Sequence, residues 1–429
     1  MTEQLTAGLR AAIKEASPVA SRFRAASRHL YFVGGVIRDE LAGRVRDDAD
    51  YDMTTDARPD EIKALVGPIA EAVWTQGERF GTIGCRVGGR EYEITTHRAD
   101  AYDQASRKPI VAFGDQIEAD LARRDFTINA IALNVATADL VDPFDGRSDL
   151  ADGTLRTPLD PSVSFSDDPL RMLRAARFVA TFGFDPATEL TSAVESMGER
   201  MAIVSVERVR DELQKLLMLP NPQPGFEFLH STGLITHVLP ELAASLSMAE
   251  PHWSRLAAVV AEPGPRWAAL LLDLPARLRD REIARLKPSG QLSALVAWFG
   301  AGGEWLGEGT VPRDKPALRR AAAATPKGLV IEQRLDFVAQ LRGVDDGAGS
   351  TDVVAARAAL SRLRKAEPDL DQPVPVLTGN EIAGLLGIEP GRLIGEALAV
   401  LAQKRFDDGP FGQQVARDIL MTWWAAQQT

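Results

Sequence analysis

Cysteine is almost absent from this chain, whose 429 residues include one, Cys85, and five histidines. A single cysteine excludes an intramolecular disulfide, and Cys85 is most simply a small buried hydrophobic residue. The histidines do not fall in a spacing typical of metal ligands. Walker, nucleophile-elbow and His-Asp motifs and internal repeats are also missing from the sequence. Phosphate-loop ATPases, serine hydrolases, His-Asp phosphohydrolases and repeat scaffolds are therefore not indicated.

Long hydrophobic runs are missing as well. No stretch approaches the roughly 18 consecutive uncharged apolar residues that a membrane helix needs. The start, MTEQLTAGLRAAIKEA, has the pattern of an amphipathic helix and contains Glu3 and Glu15, so it does not resemble the apolar centre of a signal peptide. We expect a cytoplasmic protein with no membrane partner, and nothing in the sequence implies a protein partner.

Acidic residues outnumber basic ones, and the formal net charge is -11. This balance argues against a protein that coats nucleic acid by bulk attraction, although it leaves room for local basic helix faces. The apolar fraction of 45% and the charged fraction of 25% are ordinary for a globular protein. The length allows about two to four domains.

Strand and helix patterns alternate before residue 150, and helical patterns dominate after it. LYFVGG followed by VIRDELAG predicts a strand, a glycine turn and a helix, while GTIGCRV, Gly88-Gly89 and REYEITTH predict a β-hairpin with a two-residue turn. Later segments such as DDPLRMLRAARFVATFG and ERVRDELQKLLML have a helical period. We therefore predict an α+β protein in which a mixed sheet with helices precedes an all-helical region.

The segment RVRDDADYDMTT places Asp50 and Asp52 two residues apart. In a strand these side chains project from the same face, and two carboxylates on one face are typical of a Mg²⁺ site completed by phosphate oxygens of the substrate. Glu93 in REYEITTH is the best-placed further ligand by strand alternation, although a solvent-facing role fits it equally well. Upstream, Gly34 and Gly35 let the backbone approach a triphosphate at the start of a helix, and Arg38 supplies a charged fork. This order resembles the polymerase-β-like nucleotidyltransferase head.

DLARRDFTINAIALN resembles the Arg-Arg-Asp-Phe-Thr-x-Asn-Ala signature of class II tRNA nucleotidyltransferases and bacterial poly(A) polymerases. The resemblance implies that Arg124, Asp125 and Asn129 bind the ribose. On a helix Asp125 and Asn129 would lie one turn apart and could meet the same sugar. The alternative interpretation is a helix cap followed by an ordinary helix.

SDDPLRMLRAARF resembles the base-recognition motif of the same family, and Asp168 and Arg171 occupy it. A carboxylate acceptor beside guanidinium donors matches the amino group and ring nitrogen of cytosine or adenine, whereas guanine and uracil present the reverse order. The alternative is a simple salt bridge within the helix. The family usually has Glu where Asp167 stands, which leaves the role of Asp167 open.

The resemblance implies further site residues and an activity. We expect supporting nucleotide contacts from Asp167, Arg174, Arg177 and Arg208, and a flexible loop that includes Asp103 and Arg107. The implied activity is template-independent addition of C and A to the 3′ end of tRNA from CTP and ATP, with Mg²⁺ as cofactor. The expected domains are a nucleotidyltransferase head (1–150), a helical neck (151–220), a helical body (221–345) and a helical tail that binds tRNA (346–429).

Three alternatives stay open at this point. A bacterial poly(A) polymerase shares the head and neck motifs, and the acidic charge balance favours the tRNA enzyme over it. A partial enzyme could add only A or only CC, but the loop from Tyr102 to Pro109 argues against CC alone. A catalytically inactive RNA-binding or nucleotide-sensing protein built on this head is the third, and the presence of both Asp50 and Asp52 argues against it.

Overall fold

The computed structural model describes residues 5–44, 51–99, 112–246, 252–307, 310–345 and 351–428. The chain divides into two compact units. Unit 1 comprises residues 1–216 and 224–238, and unit 2 comprises residues 217–223 and 239–429. Among the described helices, none combines the length and apolar character needed to cross a membrane.

Unit 1 is organised around a mixed seven-stranded sheet, and two further pairs of short strands lie outside it. The strands are β1 (Leu30–Val33), β2 (Tyr51–Thr55), β3 (Ala72–Trp74), β4 (Thr82–Val87), β5 (Arg90–Thr96), β6 (Arg98–Ala99), β7 (Ala112–Phe113), β8 (Ala132–Asn134), β9 (Leu140–Val141), β10 (Thr154–Leu155) and β11 (Asp185–Pro186). The order in the large sheet is β3-β4-β5-β2-β1-β8-β9. Strands β2 and β5 run parallel, and the β4–β5 and β1–β2 pairs run antiparallel.

Helices pack on both faces of this sheet. The helices of unit 1 are α1 (Ala7–Ala25), α2 (Gly35–Leu41), α3 (Pro59–Val66), α4 (Ile117–Ala122), α5 (Gly146–Asp152), α6 (Pro161–Asp167), α7 (Leu170–Phe182), α8 (Thr188–Met197), α9 (Val206–Leu217), α10 (Gln223–Ser231) and α11 (Ile235–Val238). Helix α1 lies on one face and α4 on the other. Helix α1 buries Leu9, Ala16 and Phe23 at helical spacing, and these residues join one core with Phe32 and Met53 of the sheet. The amphipathic start predicted from the sequence is therefore confirmed from Ala7 onward.

The predicted hairpin is confirmed. Strands β4 and β5 pair from Val87 and Arg90 outward, and the turn residues Gly88 and Gly89 have φ values of 61° and 77°. Two successive positive φ values define the type I′ turn that matches the twist of the two strands, and glycine adopts them without steric cost. The turn sets the register of β5 and so decides which of its side chains face away from the core.

The region after residue 150 is mostly helical, with two corrections to the sequence prediction. Strands β10 and β11 form a two-residue parallel ladder, so the region is not purely helical. The segment predicted as one helix from Asp167 is also split, because α6 ends at Asp167 and α7 begins at Leu170. Asp168 is extended, with φ -143° and ψ 98°, as expected of a residue whose helical conformation is disfavoured by a following proline, here Pro169.

The regular secondary structure in the described residues of unit 2 is helical, with turns and loops between the helices. Its helices are α12 (Pro240–Leu246), α13 (Arg255–Ala258), α14 (Pro263–Leu270), α15 (Ala276–Arg285), α16 (Gly290–Gly300), α17 (Lys315–Ala323), α18 (Ile331–Asp345), α19 (Thr351–Ala366), α20 (Gly379–Leu386), α21 (Arg392–Asp408) and α22 (Gln413–Gln427). The predicted capping box at the start of α20 is confirmed, because Thr378 and Glu381 exchange side-chain and backbone hydrogen bonds. Separate apolar clusters form around Leu335 and around Leu401.

Candidate active site

Two carboxylates project side by side from the face of the sheet opposite the α1 core. Asp52 of β2 and Glu93 of β5 are in register across this parallel strand pair. Neighbouring strands lie about 4.8 Å apart, so the two side chains leave the sheet together. Both residues are exposed, whereas Met53 and Ile94, the next residue of each strand, are buried in the core. The structure thus places Glu93 where strand alternation predicted it, and its role as a ligand stays a prediction; Asp50 lies outside the described residues.

Gly34 brings the backbone close to the Asp52 carboxylate. It precedes α2 with φ 69° and ψ -130°, a conformation that side-chain-bearing residues rarely adopt. A Cβ atom at Gly34 would lie 3.8 Å from Asp52 Oδ2 and 3.7 Å from Arg124 Nη1. The start of α2, the Arg124 guanidinium and the Asp52 carboxylate therefore meet at one point. Gly35 is the first residue of α2 and has no positive φ.

Arg38 is already engaged by other side chains of the protein. Its Nη1 donates to Asn129 Oδ1 at 2.7 Å, and its Nε donates to Asp39 Oδ1 at 2.8 Å. Its guanidinium carbon lies 4.9 Å from the ring centre of Phe182, a cation–π distance. Arg38 was predicted from the sequence to grip a triphosphate, and that role stays a prediction. The contacts that the structure shows hold the Asn129 amide in place.

Asp125 and Asn129 lie together, but not on an α-helix. Asn129 Nδ2 donates to Asp125 Oδ1 at 2.9 Å, so the predicted proximity is present. The predicted helix is wrong, because Phe126 is extended, with φ -136° and ψ 153°, and the residues from Thr127 to Asn129 form a 3₁₀ turn. Phe126 is fully buried and its ring centre lies 5.1 Å from that of Phe178, so tertiary packing holds this residue in an extended conformation.

The Asp125 carboxylate is the centre of a polar network. Its Oδ2 accepts from Arg174 Nε at 2.9 Å and Nη2 at 2.5 Å, and its Oδ1 also accepts from the Phe126 N–H at 2.9 Å. Burial alone would raise the pKa of Asp125, but the charge and hydrogen bonds of Arg174 and the bond from Asn129 hold that pKa below its usual range. Asp125 is therefore an anion at neutral pH. The network runs from Arg174 through Asp125 and Asn129 to Arg38.

Asp120 was not selected from the sequence, yet it orients an arginine of the site. Its Oδ2 accepts from Arg124 Nη2 at 3.0 Å, and its Oδ1 accepts from the Arg98 N–H at 3.1 Å. Burial alone would raise the pKa of Asp120, but Arg124 and the Arg98 N–H hold it below its usual range. The spacing of an acid and an arginine four residues apart, Asp120 and Arg124, was the signal in the sequence that could have revealed this pair.

The two residues predicted to read the base have separate protein partners. Asp168 Oδ2 accepts from Arg208 Nη2 at 2.7 Å, and its Oδ1 accepts from the Leu170 N–H at 3.2 Å. Arg171 Nη1 donates to Ser164 Oγ at 2.8 Å, and its Nη2 donates to the Arg123 carbonyl oxygen. Burial lowers the pKa of Arg171, while Asp125 and Asp168 raise it. These contacts differ from the helical salt bridge that was the alternative interpretation.

Two of the remaining predicted residues are described by the structure, and two are not. Arg177 donates to the buried carboxylate of Glu212 and lies 4.9 Å from the Phe178 ring centre, so it joins α7 to α9. Asp167 is exposed at the end of α6. Asp103 and Arg107 lie outside the described residues.

The described side chains define a nucleotidyltransferase head, and comparisons with known proteins agree. Residues 30–156 match the Poly A polymerase head domain, and residues 183–246 match the probable RNA and SrmB-binding site of polymerase A. A CCA-adding enzyme of Streptococcus gordonii is 36% identical over 288 residues, which cover 66% of this chain and 70% of that protein. The chain belongs to the class II CCA-adding enzyme family, whose members are generally metal-dependent tRNA nucleotidyltransferases.

Two further comparisons give the extent of the similarity. A CCA-adding enzyme of Geobacillus thermodenitrificans is 37% identical over 256 residues, which span 58% of this chain and 60% of that protein. The crystal structure of a Bacillus stearothermophilus CCA-adding enzyme in complex with CTP is 26% identical, with a TM-score of 0.72. The superposition covers 97% of this chain and 98% of that one. The similarity in fold therefore extends over both units.

The Asp120 contacts predict a pH-dependent loss of stability. Asp120→Asn removes a buried charge that holds Arg124, and we expect it to lower the free energy of unfolding by about 1–3 kcal/mol at pH 7. Because the folded-state pKa of Asp120 is depressed, its contribution is present above the unfolded pKa and lost as the pH falls through the folded value. Urea unfolding of both proteins from pH 7 to pH 3 should show the difference shrinking below about pH 4.

Glu118→Gln is the matched control, because it removes the same charge from an exposed position of the same helix. We expect this variant to stay within about 0.5 kcal/mol of the wild type. A stability difference between wild type and Asp120→Asn that stays constant across the pH range would contradict the assignment.

Proposed function

We propose that this protein adds C and A nucleotides to the 3′ end of tRNA without a nucleic-acid template, using CTP and ATP and releasing pyrophosphate. The observation that carries the proposal is that the Asp52 carboxylate, in register with Glu93 on the sheet, meets the Gly34 backbone and Arg124. The relatives named CCA-adding enzymes and the related structure that holds CTP support the choice of tRNA and of these nucleotides.

In the proposed reaction the tRNA 3′-hydroxyl attacks the α-phosphate and pyrophosphate leaves. Asp50 and Asp52, with Glu93, would hold Mg²⁺. The exposed carboxylates of Asp52 and Glu93 on one sheet face leave room for phosphate oxygens and water as further ligands. Mg²⁺ bound there would stabilise the attacking and leaving oxygens of the displacement. Gly34, Gly35, Arg38 and Arg124 would then bind the triphosphate and the sugar.

The Asp125–Asn129 pair is proposed to recognise the ribose. Asp125 is fixed by Arg174, and Asn129 is fixed from both sides by Asp125 and Arg38. A hydrogen-bonding pair held in this way loses little side-chain conformational entropy when it binds a hydroxyl group. It also discriminates against a sugar that lacks the hydroxyl. This supports the use of ribonucleotides.

Asp168 and Arg171 are proposed to select the base. Arg171 reaches the carbonyl of Arg123, two residues before Asp125, so its guanidinium borders the proposed ribose site. A carboxylate has further lone pairs and a guanidinium has five N–H donors, so both groups can bind a base edge while keeping their protein contacts. Arg208 orients Asp168, whereas Arg177 supports the helix through Glu212.

The domain boundaries and the location belong to the same proposal. We keep the division into head (1–150), neck (151–220), body (221–345) and tail (346–429), with the tail binding tRNA and a flexible loop around Asp103 and Arg107. Cytoplasmic tRNA is the proposed substrate. The family model for a poly(A) polymerase head keeps polyadenylation as the second candidate function.

The decisive experiment offers each nucleoside triphosphate to three acceptors with Mg²⁺ present. The acceptors are tRNA without its CCA end, the same tRNA ending in CC, and an unstructured RNA. We expect two C and then one A on the first, one A on the second, and little extension of the third. Asp52→Asn should abolish addition with an unchanged melting temperature, because a metal-binding carboxylate on an exposed face contributes little to folding. Runs of A on unstructured RNA, without C addition, would favour polyadenylation and contradict the proposal.

Base choice is predicted to depend on protein side chains. Removing the Arg171 guanidinium in Arg171→Met, or the carboxylate in Asp168→Ala, should reduce discrimination against GTP and UTP by roughly 1 to 3 kcal/mol per lost pairing, with residual turnover. Competition assays with all four nucleotides measure this discrimination.

Ser164→Ala is the control, since it removes a structural partner of Arg171 and leaves the guanidinium in place. If Arg171 and Asp168 acted only in folding, all three variants would lower the melting temperature and still reject GTP and UTP. That outcome would contradict base selection by these residues.

A further inference from the structure

Unit 2 contains an open cavity that the proposed reaction does not use. Its volume is about 550 Å³. It is bordered by the start of α17, by α18 and by the 3₁₀ turn that ends at Trp305. The side chains that determine its chemistry are three arginines, one tryptophan and two acids, namely Arg313, Arg320, Arg334, Trp305, Glu304 and Asp314.

Arg334 is the innermost charged group of this cavity. Only 7% of the residue is exposed, and its Nε has no hydrogen-bond partner within the described part of the chain. Its guanidinium carbon lies 4.2 Å from the ring centre of Trp305 and 6.0 Å from that of Trp298. One face of the guanidinium is therefore satisfied by aromatic rings, which bind cations but do not replace hydrogen-bond acceptors.

The position of Arg334 on α18 is unusual for a charged residue. It lies on the same helix face as the buried residues Ile331, Leu335 and Val338. Burial lowers the pKa of Arg334 to about 10, with Glu304 opposing this and the buried Arg279 adding to it. The group is still a cation at neutral pH. A buried cation beside a second buried cation is costly unless an anion compensates it.

The rim of the cavity supplies further positive charge. Arg313 is exposed there, and so is Glu304, whose negative charge offsets part of the charge of Arg334. Asp314 is committed to capping α17, because its carboxylate accepts from the Ala317 N–H at 2.8 Å, and Arg320 is paired with Asp407 at 2.8 Å. Arg334 and Arg313 are therefore the cations available to a ligand, one at the base of the cavity and one at its edge.

We propose that this cavity binds a phosphate group, which Arg334 holds from within and Arg313 holds at the edge. The planar guanidinium fork matches two phosphate oxygens, and the charge of a phosphate would compensate the buried Arg334 cation. The phosphate belongs either to an RNA backbone or to a free phosphate compound such as a nucleotide. Both sources present anionic phosphate oxygens to the two arginines. The two measurements below distinguish an RNA phosphate from a free phosphate compound.

The first measurement is the melting temperature of the full chain in phosphate and in chloride at matched ionic strength. Saturating inorganic phosphate should raise the melting temperature of the wild type by about 3 °C. Arg334→Met should lose this increase. Arg313→Ala and Ala317→Glu should also lose most of it, and both lie at positions where the substitution leaves the core intact. Arg362→Ala, an exposed arginine of the same unit that does not line the cavity, should keep it.

The second measurement is tRNA affinity as a function of salt. If the ligand is an RNA phosphate, the slope of log Kd against log salt should fall by about one in the Arg334 and Arg313 variants and not in Arg362→Ala. An unchanged slope, with phosphate stabilisation lost in the variants, assigns the cavity to a free phosphate compound. Equal melting shifts and equal slopes in every variant would overturn the proposal. Neither measurement uses nucleotide addition, so its failure leaves the proposed activity untouched.

Discussion

The ionised Asp125 carboxylate is the constraint on which the candidate site depends. Its side chain is only 10% exposed, and an anion at that depth is stable only with charge-paired, hydrogen-bonded partners. Arg174 of α7 supplies the compensating positive charge, and Asn129 donates a further hydrogen bond to Asp125. Asn129 in turn accepts a hydrogen bond from Arg38 of α2. The helix that begins beside Gly34, the 3₁₀ turn and the helix that bears Arg171 are thereby held in one arrangement.

A second constraint comes from the sheet. The type I′ turn at Gly88 and Gly89 sets the register of β5, and the parallel pairing with β2 then places Glu93 beside Asp52. A shift of one residue in either strand would turn one carboxylate into the α1 core. Hydrophobic burial on one face of the sheet thus determines the placement of charge on the other face.

The sequence predicted most reliably what local patterns control. Alternation identified Glu93, the glycine pair identified the hairpin, and the Thr378–Glu381 spacing identified a capping box. It failed where tertiary packing or a proline decides: Phe126 is held extended by burial against Phe178, and Pro169 splits a helix. Asp120 and Arg334 were overlooked because a charged residue in a helical pattern is expected to face solvent. Family resemblance, not spacing, supplied the roles of the ribose and base residues.

Sugar selectivity tests most directly whether the Asp125 network controls the site. The measurement is the ratio of kcat/KM for ATP over deoxy-ATP in Asn129→Ala, in Arg174→Met and in the double variant. We predict that each single substitution lowers this ratio by roughly 10- to 100-fold, and that the double variant is little worse than either one, because both break the same chain of hydrogen bonds. A ratio that stays at the wild-type value in Arg174→Met would contradict this account.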